Sequence, residues 1–123
     1  MPSGSGSGIT RMHVGPRLSE IAVHHGVVYL AGQIADDTKA GIAGQTREVL
    51  GHIDRLLAEA NSDKTLILSA MILVSNIANF EAMNRVWDAW VEPGHTPPRA
   101  TLEAKLARPE LLVEIKIIAA QAA

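Results

Sequence analysis

From Arg99 to Leu106 polar and apolar residues alternate strictly. Arg99, Thr101, Glu103 and Lys105 fall on one side, and Ala100, Leu102, Ala104 and Leu106 on the other. Period two predicts a β-strand over 96–106, with the apolar side turned to a core. The same alternation returns in "LLVEIKIIAA" (111–120), where Val113, Ile115 and Ile117 interleave with Glu114, Lys116 and Ile118. Upstream, "ITRMHV" (9–14) is short and β-prone and stops at Gly15-Pro16. "SEIAVHHGVVYLAGQI" (19–34) predicts two strands around a turn at His25-Gly26. Ile42, Thr46, Val49, Leu50, Ile53, Leu56, Leu57 and Ala60 recur at helical spacing, with Asn61 as a stop. "TLILSAMILV" (65–74) is almost wholly apolar, which suits a strand buried on both faces, with room for a helical turn at its start. Phe80, Met83, Trp87 and Trp90 form the stripe of a second helix, capped at Asn76 or Asn79 and closed by Pro93-Gly94.

The predicted order is three strands, helix, strand, helix, two strands. That is an α+β fold in which two helices lie on one face of a single mixed sheet. If both C-terminal strands turn their apolar sides to the helices, Arg99, Thr101, Glu114 and Lys116 share the opposite face. That face also carries Ile118, so it either lies in water or is covered by another subunit.

Composition narrows the chemistry. The 123 residues suit one domain, read as 9–123, after a Ser/Gly tail over 1–8 that reads as flexible. The tail has no basic region followed by an apolar run, so it is not a secretory signal. No apolar stretch is long enough to span a bilayer, and the expected location is cytoplasmic. Formal net charge is -2 with both signs interspersed, which lacks the footprint of a nucleic-acid binder. There is no cysteine, so thiolate zinc sites and cysteine nucleophiles are excluded. His24 and His25, adjacent on a strand, point to opposite faces and make poor joint ligands, while His13, His52 and His95 have no partner at ligand spacing. No metal is expected.

The segment "TPPRATLEAKLARPELLVEIKIIA" resembles the C-terminal signature of the Rid family, the reactive-intermediate deaminases also called YjgF-like proteins. "VVYLAGQI" and "ILSAMILVSNIANFEAMNRVWDAW" agree in order and spacing, and the likeness covers nearly everything after residue 14. The resemblance implies a chorismate-mutase-like fold and a homotrimer whose sheets form a central barrel, with three ligand clefts between neighbouring subunits. It implies hydrolysis of 2-imino acids to 2-keto acids and ammonia, without metal or organic cofactor. The family's defining arginine matches Arg99, which would pair with the substrate carboxylate. Its last-strand glutamate matches Glu114, its glycine Gly32 and its second-helix asparagine Asn84. Three positions depart from the pattern: Leu18 stands where the deaminases have a tyrosine, Ala31 replaces a serine, and Thr101 replaces a cysteine.

Each of these residues also has a plainer reading. From pattern alone Arg99 is an ordinary exposed strand-end arginine, and only the resemblance reverses that. Glu114 reads equally as a cross-strand ion pair with Lys105 or Lys116. A buried asparagine such as Asn84 is more often a satisfied structural group than a ligand contact. The changed positions motivate an alternative of another class, a sensor that binds 2-keto acids or related metabolites in the same clefts without turnover.

Overall fold

The computed structural model describes residues 8–123; the proposed tail, apart from Gly8, lies outside them. Strands β1 (Ile9–Val14), β2 (Ser19–His24) and β3 (Val27–Leu30) form an antiparallel meander. The β2–β3 link is only His25 and Gly26, with φ of 50° and 76°. Two successive left-handed residues make a hairpin turn whose twist matches that of the strands, and Gly26 takes this conformation without a Cβ penalty.

Helix α1 (Ile42–Glu59) follows, and Asn61, at φ 59°, ends it in the left-handed region. A 3₁₀ turn at Lys64–Leu66 leads into β4 (Ile67–Val74). A second 3₁₀ turn at Ile77–Asn79 precedes helix α2 (Phe80–Trp90). Asn76, rather than Asn79, caps this turn, its side chain accepting from the Ala78 N–H. Strands β5 (Arg99–Glu103) and β6 (Val113–Ala120) complete the chain.

The sheet order is β1-β2-β3-β6-β4-β5, and β4–β5 is its one parallel pair. This is the α+β arrangement the periodicities predict. Val28, Leu30, Ile72, Ile115 and Ile117 line the covered face of the sheet. Val49, Leu50, Ile53 and Leu57 from α1, with Met83 and Trp87 from α2, close the core above them. Each such aliphatic side chain contributes roughly 1.5–3 kcal/mol by leaving water.

Two expectations are corrected here. The first concerns β5. It runs from 99 to 103 and aligns Arg99 with Ala70 and Thr101 with Ile72. Residues directly paired share a face, and Ala70 and Ile72 are core positions, so Arg99 and Thr101 point toward the helices. The apolar alternates face the other way, and Leu102 is half exposed. The period was right and the facing inverted, because both faces of this strand meet apolar neighbours.

The second concerns β4, which in the single chain is buried on one face only. Met71, with Tyr29 on β3 and Leu102 on β5, stays open to solvent, beside the half-buried Ile118. A one-residue irregularity between Ile67 and Ser69 shifts its register against β6.

Candidate functional site

The predicted site residues separate into two groups. The first gathers where β5 meets α2. The Arg99 guanidinium carbon lies 5.3 Å from the centre of the Trp87 ring and 5.9 Å from that of Phe80. Phe80, Asn84 and Trp87 share one stripe of α2, four and three residues apart, so the two rings bracket Asn84. Glu103, at the far end of β5, accepts from the Ile77 N–H at 2.9 Å and ties the strand to the turn that starts α2.

Arg99 makes no ion pair and no side-chain hydrogen bond among the described residues. Asn84 Nδ2 donates to Glu81 at 3.4 Å, but Asn84 Oδ1 is buried without a partner, and so is Thr101 Oγ1. Buried polar atoms without partners are rare and call for a ligand, a water or a neighbouring molecule. A guanidinium steadied on two aromatic faces, with its fork of donors free, is suited to a carboxylate.

The second group lies on the other face of the sheet, where β3 meets β6. Tyr29 pairs with Ile118, and Gln33 pairs next with Ile115. The β3 side thus advances four residues while β6 advances three, and Ala31 and Gly32 bulge out between them. The Glu114 carboxylate lies directly on Gly32, and a Cβ built there would fall 2.1 Å from Glu114 Oε2. Any side chain at Gly32 would therefore displace the Glu114 carboxylate, a constraint set by contact rather than by φ. Gln33, which the sequence reading passed over, holds the bulge: its buried amide donates to Glu20 Oε1 and to the Ala31 carbonyl, both at 3.0 Å. Its signal was a glutamine directly after the glycine of a predicted strand. Leu18, exposed, precedes Ser19 at the end of β2 next to Ala31, whose N–H donates to the Glu20 carbonyl.

Glu114 forms no ion pair with Lys105 or Lys116 among the described residues; Lys116 instead donates to the Leu30 carbonyl at 3.4 Å. The pairing read from the alternation is therefore absent.

Arg99 and Glu114 were expected on one side of the sheet, and they are not. Glu114 pairs with Leu73, whose partner on β5 is Leu102, on the open face opposite Arg99. Two strand spacings and three residues of offset put their Cα atoms roughly 14 Å apart, with the side chains diverging. Within one chain, Arg99 and Glu114 therefore cannot meet on one small molecule.

His52 does have partners. Its Nε2 lies 3.1 Å from Glu48 and 3.3 Å from Asp36, and the ligand atoms of the three fall within 4.8 Å of one another. Glu48 also accepts from the backbone N–H groups of Asp36 and Asp37, and Arg55 approaches His52 Nδ1 at 3.3 Å. These groups are spent on one another and on the loop after Gln33, and the added guanidinium opposes a cation.

A family model described as "Endoribonuclease L-PSP" matches residues 9–121. A RutC family protein of Haemophilus ducreyi is 47% identical over 112 residues, which cover 91% of this chain and 96% of that protein. NMB1025 of Neisseria meningitidis, a YjgF-family protein of known structure, superposes with a TM-score of 0.91 at 44% identity, covering 95% of this chain and 98% of its own. The Rid-family protein YyfA of Yersinia pestis is similar at 33% identity and TM-score 0.78, covering 87% of this chain and 89% of its own.

Proposed function

The chain belongs to the endoribonuclease L-PSP family, among relatives named RutC, YjgF and Rid, and from that premise we propose that it hydrolyses 2-imino acids to 2-keto acids and ammonia in clefts between the subunits of a homotrimer. The observation that carries this reading is Arg99: an unpaired guanidinium at an edge strand, stacked on Trp87 and Phe80, with two unpartnered buried oxygens around it. Such a group binds a planar carboxylate in two parallel hydrogen bonds and leaves the neighbouring imine carbon open.

Because Arg99 and Glu114 diverge within one chain, the cleft is completed by a second copy, the Arg99 half of one subunit facing the Glu114 half of the next. The exposed Tyr29, Met71 and Leu102 supply an apolar face for that contact. In the cleft the imine carbon takes up the oxygen of a water. Glu114 accepts a proton from that water and returns one to the nitrogen. The hydroxyl proton of the resulting carbinolamine then passes to the nitrogen through Glu114, the C–N bond breaks, the carbonyl forms, and ammonia leaves. Thr101 and Asn84 flank the anchored carboxylate, and Gly32, Ala31 and Leu18 shape the wall around Glu114. No cofactor enters this scheme.

The family description speaks of RNA cleavage, and the interspersed charges and net charge of -2 argue against a polyanionic substrate. The test is direct. Imine is generated from an amino acid with an amino-acid oxidase, and its loss is followed with the wild-type protein and with Arg99→Ala. The expected result is acceleration by the wild type that falls at least a hundredfold in the variant. Binding of 2-keto acids without acceleration would replace this reading with the sensor.

A further inference from the structure

A hollow between the helices is lined by none of the residues assigned to either half of the cleft. It is a groove of about 590 Å³ between α1 and α2, within the usual range for small-molecule sites. Its lining is mostly apolar and includes Leu50, Val86 and Trp90. Arg47 projects from α1 and Arg85 from α2, and both line it.

The topology sets these arginines against each other. β3 and β4 both run antiparallel to β6, and β5 runs parallel to β4, so the helices that make the two crossovers point the same way. Their C-terminal ends are pinned together by Trp90 Nε1, which donates to Asp54 Oδ2 at 3.0 Å. Arg47 lies seven residues before Asp54 and Arg85 five before Trp90, or about 10 Å and 8 Å back along the axes at 1.5 Å per residue. The two arginines therefore start from nearly the same height along the groove.

Neither arginine has an ion-pair partner among the described residues. The acid that lines the groove, Asp54, is engaged by Trp90, and Lys64 Nζ adds a further cation 5.5 Å from the Trp90 ring. The two arginines and Lys64 outnumber the one carboxylate of the lining, and an excess of cations beside apolar side chains is complementary to an anion with an apolar body.

We propose that this groove is a second ligand site, taking a small aryl or alkyl carboxylate whose anionic group is bridged by Arg47 and Arg85 while its apolar body lies on Leu50, Val86 and Trp90. The groove is on the helix layer, opposite the open sheet face, and so stays accessible when copies associate through that face. Arg99 does not line it.

Trp90 lines the groove, whereas Trp87, whose ring centre lies 5.4 Å from that of Trp90, rests against Arg99, so the relative size of the two shifts distinguishes the sites. The full chain is titrated with 1-naphthoate while the indole N–H signals are followed by NMR. A saturable shift of Trp90 is expected, larger than that of Trp87. The neutral 1-naphthalenemethanol is expected to bind at least tenfold more weakly. The doubly substituted Arg47→Gln, Arg85→Gln protein should weaken naphthoate binding at least tenfold, and Ala89→Phe, which fills the groove from its exposed edge, should block it. Arg99→Ala should bind as the wild type does. The proposal is overturned if no saturable shift of Trp90 occurs, if the double substitution leaves the affinity unchanged, or if Arg99→Ala abolishes binding, which would put the anion in the cleft.

Discussion

At the scale of single residues, the two halves of the proposed cleft are held by different physical devices. Arg99 is positioned from its sides, by two aromatic faces and the stripe of α2, so its donors stay free. The Glu114 carboxylate occupies the space that a side chain at Gly32 would take. This contact yields a sharp prediction. Gly32 does not have positive φ, so Gly32→Ala strains little backbone, but the new Cβ must push away the flexible Glu114 carboxylate. Turnover should fall tenfold or more, on the scale of a misplaced general acid–base group. The affinity for 2-keto acids, set by Arg99, should hold within a few fold. Kinetics with a competing keto acid separate the two effects. Loss of affinity with turnover intact would mean that Glu114 is not the group acting on the water.

At the scale of elements, the loop after the Ala31–Gly32 bulge is fastened to α1 through Glu48. The backbone N–H groups of Asp36 and Asp37, and secondarily His52, hold the Glu48 carboxyl below its ordinary value of 4.5. A lowered folded-state pKa contributes stability that is fully present above the unfolded value and is lost as pH falls through the folded one. Wild-type stability to urea should therefore decline as pH drops below about 4.5, and Glu48→Gln should show a shallower decline over that window. Equal slopes would show that the carboxylate does not fasten the loop. This contact was invisible in the sequence, because Asp36 and Glu48 are joined by a fold rather than by a motif. The elements themselves were legible, since α1, α2, the His25–Gly26 hairpin and the strand alternations each write a period into the chain. The facing of β5 was not, because alternation tells which residues share a side and leaves open which side meets the helices. Leu102 looked like core, and it faces out where the sheet is apolar on both sides. For the same reason Arg99 and Glu114, both polar alternates, were placed together, whereas the strand register puts them on opposite faces.

At the scale of the whole molecule, that separation is what gives the proposed assembly its purpose. A homotrimer would cover the apolar sheet face and would bring together two groups that one chain keeps roughly 14 Å apart. The claim that the working site is built from two copies is tested most directly by mixing two dead subunits. Arg99→Ala lacks the carboxylate anchor, and Glu114→Gln lacks the proton-handling group; each homogeneous protein should be nearly inactive. After the two are unfolded together in urea and refolded in equal amounts, a cleft that draws Arg99 from one copy and Glu114 from the next is intact whenever both neighbours contribute their unaltered half. Random assembly makes about one cleft in four intact, so imine hydrolysis should return to roughly a quarter of the wild-type rate. If the mixture is no more active than its parents, while light scattering finds the mixed oligomer formed, the site lies within one chain and the account given for Arg99 and Glu114 is wrong.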